Sequence, residues 1–273
     1  MITWKHQIES IKHLIDWVWY LDVEQGESID FMPQLVPNVN AHFIITPASQ
    51  PYDYQNKSDH FVGKGTHLLT PSTKTLVLND EAPLTRLGVR FTPTALYQLN
   101  QKEGGVIDQC LEVNWLDQFL SPTHYQTLIN DGDRAEILAR VEQDLLPLID
   151  SARSDKAVSL VDKALAVIEQ HNGLLTSEGL AQECFTTKRT LERAFKKTVG
   201  IGIKQYQSIV KFEALFMHLH QNPNKADWAE MANQFGFSDQ PHLIRQMKQV
   251  IGVTPSGYLN ARDLVIDAYG DFE

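Results

Sequence analysis

"GFSDQPHLIRQMKQVIGVTP", Gly236 to Pro255, spells a turn, a helix and a stop in that order. Gly236 gives the backbone a position at which positive φ costs nothing. Phe237 follows as an apolar plug, and Ser238 or Asp239 offers an oxygen to the open N–H groups of a helix start. Leu243 and Met247, one helical turn apart, mark a buried face. Gln240, His242, Arg245, Gln246 and Lys248 fall on the opposite face. Pro241 stands in the first turn, where its missing N–H has no intrahelical partner to lose. A helix of this kind suits the DNA major groove, where Arg pairs bidentately with guanine and Gln with adenine.

The same order of residues occurs once before. "GLAQECFTTKRTLERAFKKTVGIGIKQY" (179–206) parallels "EMANQFGFSDQPHLIRQMKQVIGVTPSGY" (230–258). Leu180-Ala181 matches Met231-Ala232 at an offset of 51. Leu191, Arg193, Phe195, Lys196, Gly200 and Tyr206 match Leu243, Arg245, Met247, Lys248, Gly252 and Tyr258 at an offset of 52, so the second turn is one residue longer. Each unit reads as helix, tight turn, helix, at about 177–199 and 228–251, joined by the helical stretch 203–221. The small Ala181 and Ala232 allow close approach of the paired helices. The first unit presents Lys188, Arg189, Glu192, Arg193, Lys196 and Lys197 on its outer face, a local net charge of +4.

That face sits in a chain of 273 residues with a net charge of −10. Residues 1–153 hold 11 Lys/Arg against 20 Asp/Glu, a net of −9, whereas residues 154–273 hold 13 against 14, a net of −1. The acidity therefore belongs to the other half. Screening over a Debye length of about 8 Å keeps it from cancelling the basic cluster. The unevenness also argues against a non-specific architectural DNA binder, which would be basic throughout.

The first half is punctuated by Pro33, Pro37, Pro47, Pro51, Pro71 and Pro83. Short strands are expected at 16–23, 41–46, 73–80 and 87–91, giving a barrel or sandwich. Helical patterning starts at 92–101. In 134–149 an apolar stripe of Ile137, Leu138, Val141, Leu145 and Leu148 is suited to pack on the strands or on a second subunit. "SARSD" (151–155) reads as a linker, and 157–173 as a helix ending in Asn-Gly. Cys110 and Cys184 form neither a disulfide framework nor a zinc spacing. No leader or membrane-spanning run is read, which leads to the expectation of a cytoplasmic protein.

The paired units closely resemble the DNA-binding domain of AraC/XylS-family bacterial transcription regulators, over Ala157 to Arg262. The resemblance implies two helix-turn-helix units entering successive major grooves of a promoter or operator. Arg189, Glu192 and Arg193 fall on the family's first base-facing group, and Gln240, His242 and Arg245 on its second. Departures are Phe185 and Thr186 in the first turn, Leu215 in the joining helix, and Pro241 in place of a polar reader. "LVPNVNAHFIIT" and "LGVRFTPTALYQL" more loosely resemble the cupin-like sensor domain of one subset of the family.

The resulting expectation is a two-domain α+β protein. Residues 1–150 form a cupin-like β-barrel with trailing helices, for effector sensing or homodimerisation. Residues 151–155 form the linker, 156–262 the all-α double helix-turn-helix domain, and 263–273 a tail. Its partners would be double-stranded DNA, a small-molecule effector, a second copy and, for an activator, RNA polymerase; no cofactor, metal or membrane is expected. Arg86 and Arg90 share one strand face: lining a barrel they would hold a carboxylate effector, facing solvent they are surface charges. The alternative is a cupin-type binding protein or metalloenzyme using His42, His60 and His67, which lack the His-x-His-and-Glu pattern such a centre needs.

Overall fold

The computed structural model describes residues 2–27, 34–99, 105–112, 115–116, 120–131, 133–221, 227–252, 254–255 and 257. The tail 263–273, Arg262 and the repeat residue Tyr258 lie outside the described residues.

The strands are β1 (Ile2–His6), β2 (Ile15–Val23), β3 (Gln34–Leu35), β4 (His42–Ile45), β5 (Pro51–Gln55), β6 (His60–Lys64), β7 (His67–Leu69), β8 (Leu76–Leu78), β9 (Leu84–Phe91) and β10 (Cys110–Leu111). They form two antiparallel sheets, ordered β1-β2-β9-β4-β7-β10 and β3-β8-β5-β6. No ladder among the described residues closes the two into one ring. Trp19, Leu21, Ile44 and Leu69 of the larger sheet share a core with Tyr52, Tyr54, Leu76 and Leu78 of the smaller.

The opposite face of the larger sheet packs against helices. Val18, Tyr20, Phe43, Ile45, Leu87, Val89 and Phe91 join α1 (Ala95–Leu99), α2 (Pro122–Asp131) and α3 (Arg134–Ser151) in a second core. β2 and β9 are thus covered on both sides, which is why their burial does not alternate. Gly88 allows this density, because a Cβ there would overlap the indole of Trp19. The stripe on α3 resolves within the chain: Ile137, Val141, Leu145 and Leu148 are buried in this core, with Leu138 packed alongside. The strand expected over 73–80 shrinks to β8, because residues 72–75 are engaged in a polar turn.

The last part is helical: α4 (Lys156–Gln170), α5 (Ser177–Glu183), α6 (Lys188–Thr198), α7 (Ile203–Gln221), α8 (Trp228–Gln234) and α9 (Gln240–Ile251). Leu180, Leu191, Phe195, Tyr206 and Ile209 belong to one core, and Phe212, Leu215, Leu219, Met231, Leu243 and Met247 to another. α7 contributes to both, its first half to one and its second half to the other. Leu215, with 0% exposure, fills the second core.

Candidate nucleic-acid interface

Two helix pairs, α5–α6 and α8–α9, repeat one geometry. Ala181 and Ala232 are buried where the helices cross. In each turn an N–H returns to that alanine's carbonyl, Thr186 N to Ala181 O at 2.9 Å and Phe237 N to Ala232 O at 2.7 Å. The residue just before takes the left-handed conformation, Phe185 at φ 55° and Gly236 at φ 66°. The turn therefore demands positive φ whatever the side chain. In the first unit Phe185 meets that demand as a non-glycine, 90% exposed, with the Lys163 ammonium 4.4 Å from its ring centroid. The extra residue of the second turn is absorbed at Ser238, and Asp239, rather than Ser238, caps α9 by accepting from His242 N at 2.7 Å. Thr187 caps α6.

Both second helices bury the expected face, Leu191 with Phe195 and Leu243 with Met247. On the outer face of α6 the charges divide into two kinds. Lys188 pairs with Glu178 at 2.6 Å, Lys196 donates to Gly200 O at 2.6 Å, and Lys197 pairs with Asp155 at 2.7 Å over the ring of Tyr97. Arg189, Glu192 and Arg193 are exposed. No hydrogen bond or ion pair holds Arg189 or Arg193 among the described residues. On α9, Gln240, Arg245 and Lys248 are exposed and Gln246 is half-buried. His242 turns back instead: its Nδ1 accepts from Ser238 N at 3.1 Å and faces the Ser238 hydroxyl at 2.9 Å, while its ring meets Phe237 edge-on. Pro241 lies in the first turn of α9.

Asp155, the last residue of the expected linker, organises a junction. Its carboxylate caps α4 by accepting from Ala157 N and Val158 N, and also receives Lys197 and the Tyr97 hydroxyl. The hydrogen bond from Lys197, more than any other contact, holds its carboxyl down to about 2. An Asp immediately before a helical run was the available sequence signal.

Arg86 and Arg90 both point into the protein. Arg86 is fully buried and grips both oxygens of Asp80, at 2.7 and 2.6 Å, beside the ring of Tyr54. Arg90, 7% exposed, donates to Asn40 at 2.9 Å and to Glu213 of α7 at 3.4 Å, and its Nε stands 3.3 Å from Asp16. Burial pushes the Asp16 carboxyl above its ordinary range, and Arg90 pulls it back. The solvent-facing reading of this strand face is thus replaced by an interior one, in which both guanidinium groups already hold carboxylates of the chain. Sequence spacing could not reveal those partners, since they arrive from β2, the 79–80 turn and α7.

His42 and His67 are buried in the sheet core, and burial pushes each down to about 3, so both are neutral. His67 donates from Nδ1 to Gly65 O at 2.8 Å and takes the Tyr54 hydroxyl on Nε2 at 3.0 Å. Trp19 donates to His42 Nδ1 at 3.4 Å. His60 is on the surface with Asp53. Among the described residues no three His, Cys, Asp or Glu side chains converge as metal ligands. None of the described helices is long and apolar enough to cross a membrane.

This pair of matched units with outward arginines defines a double helix-turn-helix protein. Residues 180–261 match the family described as "Helix-turn-helix domain", and the chain carries an AraC-type helix-turn-helix domain there. The protein is a DNA-binding transcription regulator. No curated protein matches the chain. Among solved structures it is similar to ToxT from Vibrio cholerae O395, with 11% identity, a TM-score of 0.49, and coverage of 90% of this chain and 96% of that one. It is also similar to the C-terminal domain of AraT, a response regulator from Geobacillus stearothermophilus, with 23% identity, a TM-score of 0.36, and coverage of 44% and 97%. A third similar structure is the AraC-like transcriptional activator CuxR, with 11% identity, a TM-score of 0.28, and coverage of 76% and 78%.

Proposed function

We propose that the protein is a cytoplasmic, sequence-specific regulator without a catalytic step. Residues 156–262 read DNA, residues 1–150 sense an effector or dimerise, and 151–155 link the two. What supports this most is the pair of reading helices with Arg189, Arg193 and Arg245 exposed and unengaged by described residues. Arg189, Arg193, Gln240 and Arg245 read base edges, Glu192 accepts from cytosine, and Lys248 and Gln246 set register on the backbone. Lys188, Lys196 and Lys197 act through the local field, since each is held within the chain. His242 shapes the N-terminus of α9 and offers only its Nε2 to DNA.

Selection from a random duplex pool tests the reading. Enrichment of two half-sites on one DNA face supports it, and no enrichment over the starting pool ends it.

Of the two interior arginines, Arg90 is the better effector site. Its partner Glu213 is 46% exposed, whereas Asp80 on Arg86 is 1% exposed. An organic acid would exchange with Glu213 and so act on the helix that joins the two reading units. The Trp17 ring centroid lies 5.5 Å from the Arg90 guanidinium, so indole fluorescence reports on the exchange. Titration with short and long carboxylic acids should shift the emission of the wild type but not of R90A. An identical response from R90A rules the site out.

A further inference from the structure

We infer that the β-rich half positions the two reading helices relative to one another by gripping both of their C-terminal ends, with Val36, Val39, Thr75 and Asp108 as positioning residues. This rests on the assignment of α6 and α9 as the DNA-reading helices.

Each grip is made by the backbone or by short side chains. At the end of α6, Gly200 takes φ 85° and lies directly under Gly105: a Cβ on Gly200 would overlap the Gly105 carbonyl. A Cβ on Gly105 would in turn stand 3.4 Å from Lys196 O. Val39, 3% exposed, and Ile107 belong to the core of that unit. At the end of α9, the Thr75 hydroxyl donates to the Val250 carbonyl in the last helical turn. Val36 packs against the core of the second unit, as does Val250. Two valines three residues apart in "LVPNVN" therefore enter the cores of different reading units.

The gripping segments are themselves one block. Asp108, at φ 56°, accepts from Thr73 N at 2.7 Å, from the Thr73 hydroxyl at 2.7 Å and from the Ser72 hydroxyl at 3.2 Å. Its own N–H donates to Pro71 O at 2.9 Å. Ser72 and Asn38 exchange two backbone hydrogen bonds, at 2.8 and 2.9 Å. Segments 36–40, 71–75 and 105–108 thus move together. The two units are otherwise separate cores strung on α7, and their relative pitch follows whatever curvature that helix takes. A block fixed at both ends removes that freedom. The pitch between two reading helices sets the spacing of the half-sites they accept.

The test uses the full chain, the duplex enriched by selection, versions of it with one or two base pairs inserted between half-sites, and a duplex with a single half-site. T75V removes the donor while keeping shape. D108N keeps an acceptor and a residue at ease with positive φ, but loses the second carboxylate oxygen. Wild type should lose about tenfold or more in affinity on a one-base-pair insertion, as for a mismatched contact. T75V/D108N should lose less than about threefold, with single-half-site affinity unchanged. Equal spacing discrimination in both proteins overturns the inference, and so does a loss on the single half-site as large as on the pair. If the double variant enriches a duplex and wild type does not, the block keeps the helices off DNA rather than setting their half-site spacing, and the inference is overturned. If neither enriches any duplex, it is the DNA-reading assignment that fails.

Discussion

Arg193 and Arg245 stand one repeat apart, each exposed on the outer face of its helix. Arginine at such a site presents a planar fork of donors that fits the O6 and N7 of guanine. R193A and R245A should each cost about 1–3 kcal/mol at the selected duplex and little on random DNA, measured by fluorescence anisotropy. Equal losses on both duplexes would make the arginine a phosphate contact. At this scale sequence was most informative about what a residue is, and least about what it touches. The outer-face lysines of α6 were legible as basic groups. Their engagement with Glu178, Gly200 and Asp155 was not, because two of those partners lie in other elements. His242 was placed correctly on its helix, yet its local bond to Ser238 depends on a rotamer that no spacing encodes.

At the scale of elements, the helices were easy to read and the strands hard. Caps and glycine stops carry their own chemistry, and both reading helices run to left-handed glycines, Gly200 and Gly252. Strand β7 has only three residues, and β2 and β9 are buried on both faces, so the period of two that identifies a strand is blurred in them. The start of α4 makes a testable case. D155A removes its cap, which costs ~1 kcal/mol, and also the solvent-screened pair with Lys197. D155N keeps the capping oxygen and loses only the charge, so its unfolding temperature should fall between those of wild type and D155A. The folded carboxyl is depressed, so the advantage of Asp over Asn is present above the ordinary value of 3.8 and fades as pH falls through about 2. Identical unfolding temperatures for D155N and D155A would show that Asp155 contributes no cap.

Across the whole molecule, a two-part organisation was visible in charge alone, with −9 in residues 1–153 and −1 in residues 154–273. What charge could not show is how firmly the parts are joined, through Arg90 to Glu213, Tyr97 and Lys197 to Asp155, and Thr75 to Val250. Global stability should carry the signature of the neutral interior histidines. His42 and His67 titrate near the ordinary 6.5 when unfolded and near 3 when folded. The unfolded chain therefore binds protons that the folded one refuses, and stability drops as pH is lowered from about 6.5 toward 3. Denaturant unfolding between pH 7 and 5, above the carboxylate range, should show this slope, and it should lessen in H67Q. A flat profile would contradict the burial of both rings.

The tethered lysines of α6 also bear on how the protein searches a genome. A cation already satisfied within the chain condenses onto phosphate weakly, because a bond must break before a counterion is released. Fewer ions leave the duplex on binding, so the grip on arbitrary sequence is loose and the residence there brief. On the proposed function, such a protein would travel by hopping between sites more than by sliding along one, with its exposed arginines supplying the commitment.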